Sequence, residues 1–70
     1  MFIYTKHVIE KIDTLGIDKR EVENAIKRGM KWKESNSKKW HAQMAGIEVV
    51  FMKQGKNIFI ITAYFAGRSK

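Results

Sequence analysis

Cysteine and proline are both absent from this chain of 70 residues. Without cysteine, disulfide bonds and thiolate zinc sites are excluded. The two histidines, His7 and His41, lack the sequence spacing of a metal-ligand pair, so no metal is expected. The chain also has no glycine-rich phosphate loop, no Gly-x-Ser-x-Gly nucleophile motif and no paired-carboxylate motif. It is too short to enclose a dinucleotide, and we expect no cofactor.

Long apolar stretches are missing as well. No segment approaches the ~20 apolar residues that a membrane-spanning helix requires. The N-terminus lacks the apolar stretch of a secretory signal. These absences predict a cytoplasmic protein without a membrane partner. We expect one domain, residues 1–70, near the lower size limit for a fold without a disulfide or a metal. Pairing with a second copy, as a homodimer, or with a partner protein would ease its marginal burial.

Acidic residues are scarce in the second part of the chain. Residues 1–26 carry four basic and five acidic side chains, whereas residues 27–70 carry ten basic side chains against only Glu34 and Glu48. The formal net charge is +7 at pH 7. This asymmetry favours contact with a polyanion, of which nucleic acid is the most common. The alternative is that the excess lysine serves solubility alone.

Six of these cations are clustered in the sequence and interleaved with two tryptophans. They are Lys27, Arg28, Lys31, Lys33, Lys38 and Lys39, around Trp32 and Trp40. We interpret the cluster as a nucleic-acid-binding surface, although Lys27 and Arg28 also suit a helix C-terminus. Trp32 is a candidate for stacking on bases, whereas Trp40 fits the core better. Four further cations extend this surface or only protect turns and the chain end: Lys53, Lys56, Arg68 and Lys70.

Two helices, over residues 6–15 and 19–28, are predicted for the first part of the chain. Thr5 is suited to cap the first helix. Asp18 and Glu21 have the spacing of a capping box at the start of the second. Apolar residues recur at helical spacing in both segments, and a glycine follows each of them.

After the second helix the apolar period changes from 3.6 to 2, which indicates strands. The predicted strands cover residues 30–34, 38–45, 47–52 and 56–65. Residues 2–4 form either a short strand or an N-terminal arm. A two-residue turn at residues 45–46 would pair Met44 with Ile47, Ala42 with Val49 and Trp40 with Phe51. The predicted fold is α+β, with two N-terminal helices packed on one face of a three- to four-stranded antiparallel meander sheet.

Alternation along the last strand assigns its residues to two faces. The core face would hold Phe59, Ile61, Ala63 and Phe65. The opposite face would hold Ile58, Ile60, Thr62 and Tyr64, beside His41, Gln43, Glu48 and Val50. This second face therefore brings together a histidine, a glutamate and a tyrosine.

Several short motifs resemble the DUF4258 family of small bacterial and archaeal domains. They are Tyr4-Thr5-Lys6-His7, Leu15-Gly16-Ile17, Glu21-Val22, Ala25-Ile26-Lys27-Arg28-Gly29, Val49-Val50 and Ile60-Ile61-Thr62-Ala63-Tyr64. At the level of fold, the same plan is similar to the RelE and BrnT toxins, which are compact ribonucleases of toxin–antitoxin pairs. The resemblance implies RNA as substrate and an acidic antitoxin as partner. Lys11 and Leu15 stand where the family usually has arginine, which favours instead a non-catalytic module that binds nucleic acid or protein.

A metal-independent ribonuclease needs a base near the 2′-hydroxyl, a cation at the phosphate and an acid near the leaving oxygen. His41, from the sheet face, and His7, from the resemblance, are the candidate base or acid. Tyr64 is a candidate positioning group, and Lys11 with Arg28 would neutralise the phosphate. The alternatives are a polar sheet face exposed to water and an ordinary surface histidine.

Overall fold

The computed structural model describes residues 1–66. Its elements, in chain order, are β1 (Phe2–Tyr4), α1 (Lys6–Leu15), α2 (Lys19–Arg28), β2 (Met30–Lys33), β3 (Lys39–Met44), β4 (Ile47–Gln54) and β5 (Asn57–Phe65). Both predicted helices are confirmed with their predicted bounds.

Helix α1 has defined signals at both ends. The Thr5 hydroxyl accepts a hydrogen bond from the backbone N–H of Val8 at 3.2 Å. Gly16 ends the helix in the left-handed conformation, with φ of 75°, which glycine adopts at little steric cost. Val8 and Ile12 are buried, and this side of the helix packs against β5.

Helix α2 starts with the predicted capping box. The side chain of Asp18 accepts a hydrogen bond from the backbone N–H of Glu21, and the side chain of Glu21 accepts one from the backbone N–H of Asp18. Ile17 and Val22, which flank the cap, are both buried. Val22, Ala25 and Ile26 form the buried side of the helix. This side packs against β3 and β4, so both helices lie on the same face of the sheet.

The sheet differs from the prediction. It has five strands in the order β1-β5-β4-β3-β2, and β1 pairs with β5 in parallel. The predicted three- to four-stranded antiparallel meander is therefore wrong, although the α+β class agrees. The physical reason is that β1 has only three residues and is separated in sequence from its partner, β5, by most of the chain. No local turn therefore indicates that these two strands pair. Phe2 and Tyr4 pack against the core, and this burial fixes the strand.

Strand β5 also departs from simple alternation. The predicted pairs of β3 and β4, from Met44–Ile47 to Trp40–Phe51, are confirmed. Between β4 and β5, however, Val50 is opposite Thr62 while Phe51 is opposite Ile60. Ile61 therefore has no opposite residue, as in a β-bulge. The bulge moves Ile60 into the core, where it is fully buried, and corrects the predicted placement of Ile58, Ile60 and Phe59.

The core lies between the helices and one face of the sheet, which we call the covered face. Its largest fully buried side chains are Phe51, Ile60, Val8, Val22 and Val49. The opposite face, which we call the open face, carries no helix of the described residues. By register, its members are Ile3, Met30, Trp32, Lys39, His41, Gln43, Glu48, Val50, Met52, Phe59, Thr62 and Tyr64.

A candidate acid–base site on the open face

Four neighbouring strands place polar side chains side by side on the open face. Tyr64 of β5 lies directly opposite Glu48 of β4, and His41 of β3 lies directly opposite Trp32 of β2. Glu48 and His41 are diagonal neighbours across the β3–β4 pair. Cross-strand and diagonal neighbours are close enough for long side chains to touch. Glu34, which follows β2, reaches His41 from the other diagonal.

His41 is at the centre of this group, and both of its ring nitrogens are engaged. Nδ1 lies 2.7 Å from Oε2 of Glu48, and Nε2 lies 2.6 Å from Oε2 of Glu34. Tyr64 donates its hydroxyl hydrogen to the same Oε2 of Glu48 at 2.8 Å. Ionised carboxylates only accept hydrogen bonds, so both nitrogens of His41 must donate. The geometry thus fits a protonated imidazolium between two carboxylates.

The indole of Trp32 covers the imidazole of His41. The two ring centroids are 5.3 Å apart and the planes differ by 6°. An aromatic face attracts a cation, so this stacking also favours the protonated ring. Trp32 keeps 38% of its surface exposed, whereas the side chain of His41 is only 14% exposed. Trp32 therefore shields the histidine and still offers an indole surface to a ligand.

The environment shifts the pKa of three of these groups. Desolvation alone would lower the pKa of His41, but hydrogen bonds to Glu34 and Glu48 outweigh it and raise the pKa above the ordinary value. The hydrogen bond from His41 lowers the pKa of Glu34. Burial, followed by the hydrogen bond to Glu48, raises the pKa of Tyr64 to about 12. The shifts favour a protonated His41, an ionised Glu34 and a neutral Tyr64.

Such an arrangement can transfer protons. His41 is a proton donor that Glu48 orients through Nδ1, which leaves Nε2 as the nitrogen that could reach a ligand once Glu34 moves aside. Glu34 is the more exposed carboxylate, at 39% of its side-chain surface against 15% for Glu48. Both hydrogen bonds to Glu48 end on Oε2, so its Oε1 remains an acceptor. Half-buried titratable groups with shifted pKa values are typical of functional sites.

The predicted catalytic residues separate into two places. His41 and Tyr64 are brought together through Glu48. His7 and Lys11 lie on α1, on the other side of the sheet, where they line a surface hollow with Glu10, Thr14 and Leu15. Since the sheet stands between them, the two histidines do not share a site.

The predicted nucleic-acid-binding cations also divide between the faces. Lys31 and Lys33 are opposite Ala42 and Trp40, which puts them on the covered side of β2, while Lys39 is on the open face. Lys27 and Arg28 form the last turn of α2, and Lys38 belongs to the β2–β3 loop. The Nζ of Lys27 lies 5.8 Å from the ring centroid of Phe2. Arg68 and Lys70 lie outside the described residues.

The two tryptophans, which were predicted to have different roles, lie on opposite faces of the sheet. Trp40 packs against Phe51, with ring centroids 6.5 Å apart, as the prediction of a core position implies. The Nζ of Lys53 lies 4.7 Å from the Trp40 ring centroid. Trp32 is on the open face beside His41, so it is the tryptophan that a ligand of this site would meet.

Glu34 is the site residue that sequence reasoning missed. Its place follows from the observed register, in which Lys33 pairs with Trp40. Glu34 is therefore opposite Lys39, two residues from His41 on the same face, and the sequence of the loop does not specify this register. Within residues 1–66, no three His, Cys, Asp or Glu side chains are arranged to hold a metal ion. In the same part of the chain, no helix is long and apolar enough to cross a membrane.

Residues 4–65 match the family described as "Domain of unknown function (DUF4258)". The match covers most of the chain, which therefore belongs to this family. No curated protein and no solved structure matches the chain.

Proposed function

We propose that the protein acts on RNA at the open face, as a metal-independent ribonuclease in which Glu48 is the general base and His41 the general acid. The observation that carries the proposal is the hydrogen-bonded group of Glu34, His41, Glu48 and Tyr64. It lies on the sheet face without a helix, in a protein whose formal net charge is +7. Together these features supply the two proton-transfer groups and the overall attraction that an RNA substrate requires.

The reaction is attack of a ribose 2′-oxygen on the neighbouring phosphorus. Glu48 takes the 2′-hydroxyl proton through its available Oε1 while the new O–P bond forms. The bond from phosphorus to the 5′-oxygen breaks, and His41 gives that oxygen the proton on Nε2. The products are a 2′,3′-cyclic phosphate and a free 5′-hydroxyl, so protons and bonds balance. The raised pKa of His41 favours the protonated form that an acid needs.

The remaining residues of the site have supporting roles in this proposal. Tyr64 holds Glu48 through its hydroxyl. The exposed surface of Trp32 can stack on a base, which is favourable for any of the four bases. Lys39 and the His41 cation face the phosphate from the open face. The phosphate-neutralising roles predicted for Lys11 and Arg28 do not fit this site, because both residues lie in the helix layer.

Glu34 must leave Nε2 before the substrate can bind. Its carboxylate occupies the hydrogen-bond position that a phosphate oxygen or the leaving oxygen would take, and its negative charge repels the phosphate. We therefore expect Glu34→Gln to strengthen RNA binding. In the same variant the pKa of His41 should fall, because a neutral amide supports the imidazolium less than a carboxylate does.

The wider setting of the proposal is that of a toxin relative. A similarity to RelE and BrnT toxins would go with an RNA substrate, a cytoplasmic location and an acidic antitoxin that neutralises the protein. The high positive charge supports an acidic partner. A small acidic protein encoded in the neighbouring reading frame would support this setting.

A second candidate function is a binding module without catalysis. The observation in its favour is that both ring nitrogens of His41 are already bound to carboxylates, so that the group could serve only to join four strands. In that case the surface of Trp32 and the surrounding cations would bind nucleic acid or protein, and no RNA would be cleaved.

The test is to incubate the purified protein with RNA of mixed sequence and to compare it with His41→Ala and Glu48→Gln. General acid–base groups contribute about 10²- to 10⁴-fold to rates, and we expect each variant to lose cleavage by about that factor. The cyclic phosphate end is detected by its resistance to direct 3′ ligation. Glu10→Gln, on the outer side of α1, is the matched control for loss of a carboxylate.

His7→Ala tests the competing location. Loss of cleavage in His7→Ala with full cleavage in His41→Ala would move the reaction to α1 and contradict the proposal. Absence of cleavage by the unchanged protein, combined with RNA binding that weakens steeply with salt, would support the binding module instead. Circular dichroism of each variant checks that the fold is retained.

A further inference from the structure

Strand β2 is an edge strand that is open along its outer side. It is the last strand in the sheet order, and all four of its residues are exposed. Among residues 1–66, no strand pairs with this side. Unpaired edges tend to acquire a further strand from another chain. The sequence of the edge, Met30-Lys31-Trp32-Lys33, therefore decides what kind of strand is accepted.

The backbone groups on this outer side belong to the two lysines. The backbone N–H of Glu34 donates to the carbonyl of Lys39 at 3.0 Å, which makes Glu34 and Lys39 a hydrogen-bonded pair. Hydrogen-bonded and non-hydrogen-bonded pairs alternate in an antiparallel ladder. Trp32 is therefore bonded to His41, whereas Lys31 and Lys33 direct their N–H and carbonyl groups outward. An added strand would pair with these two residues.

Self-pairing of this edge is disfavoured by charge. In an antiparallel pair of two β2 strands centred on Trp32, Lys31 of each copy would be opposite Lys33 of the other. Shifting the register by two residues in either direction places Lys31 opposite Lys31, or Lys33 opposite Lys33. Like charges directly opposite each other destabilise a strand pair. A second copy of this chain is thus a poor occupant of the edge.

We propose that β2 binds an extended acidic segment of a partner protein, which adds to the sheet as an antiparallel sixth strand. Two acidic residues at alternate positions of the segment would be opposite Lys31 and Lys33, on the covered side of the sheet. The residue between them would be opposite Trp32, on the open face, where an apolar side chain can pack on the exposed indole. The recognition pattern is acidic–apolar–acidic.

The backbone is the reason that a peptide suits this edge better than RNA. Phosphates would be attracted to the lysine side chains, but they cannot pair with alternating N–H and carbonyl groups. A strand satisfies both, since the ladder supplies affinity and the two charge pairs supply selectivity. This proposal concerns the edge of the sheet and holds whether or not the open face cleaves RNA.

The probe is a fluorescein-labelled peptide of sequence Ser-Thr-Glu-Ile-Glu-Thr-Ser, with both ends blocked. Its control is Ser-Glu-Thr-Ile-Thr-Glu-Ser, which has the same composition and charge but carries its glutamates on the isoleucine side. Fluorescence anisotropy should show the first peptide binding about fivefold more tightly, from two charge pairs at roughly 0.5 kcal/mol each. Equal binding of both peptides would mean that charge alone is recognised, and would overturn the proposal.

Backbone methylation separates strand addition from other modes of binding. In the paired geometry the glutamate N–H groups point to β2 and the isoleucine N–H points away. N-methylation of both glutamates should abolish binding, whereas N-methylation of the isoleucine should leave it within about twofold. The double variant Lys31→Glu, Lys33→Glu, whose positions are exposed, should bind the parent peptide at least about tenfold more weakly.

Protection of backbone amides gives an independent readout. With the parent peptide bound, hydrogen exchange should slow at the amides of Lys31 and Lys33. Any of three results would overturn the proposal. They are no binding of the parent peptide at low salt, unchanged exchange at these two amides, and a bound peptide that RNA displaces but unlabelled parent peptide does not. Because these assays contain no cleavage step, their failure leaves the ribonuclease proposal intact, and the cleavage assay does not depend on them.

Discussion

The covered face and the open face are built from the same five strands, yet they carry different kinds of side chain. The fully buried residues between the sheet and the helices are apolar, and no polar or charged residue among residues 1–66 is buried. On the open face, four titratable side chains are joined by hydrogen bonds of 2.6 to 2.8 Å.

The difference shows how a short chain separates stability from chemistry. The period of 2 along a strand sends alternate residues to opposite sides, so a single strand serves both. In β4, Val49 and Phe51 are fully buried on one side, while Glu48 holds His41 and Tyr64 on the other. The covered face therefore maintains the fold, and the open face is available for polar groups whose pKa values are shifted.

The largest expected effect on stability comes from removing a phenylalanine ring, and one such ring is available on each face. Phe51→Ala empties a fully buried position on the covered face, and we expect the free energy of unfolding to fall by about 3–5 kcal/mol. Phe59→Ala removes the same side chain from the open face, where it is only half-buried, and should cost clearly less. Urea denaturation of both variants measures the difference. Equal losses would mean that the open face is also part of the core.

A smaller effect is expected where α2 meets β3. A Cβ atom on Gly29 would lie 2.5 Å from the carbonyl oxygen of Gln43 and 2.6 Å from that of Ala25. The backbone φ of Gly29, −76°, is open to alanine, so the cost is a steric one. We expect Gly29→Ala to reduce the free energy of unfolding by about 1–3 kcal/mol.

The control for this prediction is Gly55→Ala. No atom lies within 4 Å of a Cβ atom at Gly55, although its φ of +61° strains alanine. A greater loss in Gly55→Ala than in Gly29→Ala would show that backbone strain, and not the close approach of the helix to the sheet, dominates. Thermal unfolding followed by circular dichroism gives both values.

The smallest effect concerns the pH dependence of stability on the open face. His41 has a raised pKa in the folded protein, so its contribution is complete below its unfolded pKa, ~6.5, and is lost as pH rises through the raised folded value. Glu34 has a lowered pKa, so its contribution is present above its unfolded pKa and is lost as pH falls through the lowered one. The group should therefore stabilise most between about pH 4.5 and 6.5.

The measurement is the urea midpoint of the unchanged protein minus that of His41→Gln, at a series of pH values. Subtraction removes the effect of the general positive charge, which both proteins share. We expect the difference to decline on the alkaline side. A difference that stays constant from pH 5 to 9, values chosen to bracket the shift, would contradict a protonated His41 in the folded state.

The parts of the fold that the sequence predicts correctly are those with local signals. The caps at Thr5 and Asp18 and the glycine after each helix gave the helix bounds. The turn at residues 45–46 gave the register of β3 and β4. In each case the residues that set the geometry lie within a few positions of the element they define, so their chemistry is readable without the rest of the molecule.

The parts that could not be predicted depend on distant contacts. Strand β1 is placed by the burial of Phe2 and Tyr4 beside β5, and no turn connects the two strands. The bulge at Ile61 follows from how β5 packs, because five apolar or β-branched residues in a row, 58–62, carry no mark of which one is skipped.

The candidate site was predicted in part for the same reason. Alternation along the strands correctly placed His41, Glu48 and Tyr64 on one face. Tyr64 follows the bulge in β5, and the predicted assignment of residues to faces is correct in that part of the strand. Glu34 was missed because the polar loop between β2 and β3 is longer than a two-residue turn, and its sequence alone leaves the register of the two strands open. The cations were grouped by closeness in sequence, whereas the fold distributes them over the end of α2, the covered side of β2, the β2–β3 loop and the open face of β3.

The skipped residue in β5 constrains the length of that strand more than its composition. Ile58 and Ile60, before the bulge, are matched to β1 and the core, while Thr62 and Tyr64, after it, are matched to the hydrogen-bonded group around Glu48. Deleting or inserting one residue here would move the side chains in one half of the strand to the opposite faces of the sheet. Relatives or redesigned versions of this protein should accordingly keep the number of residues in this segment unchanged.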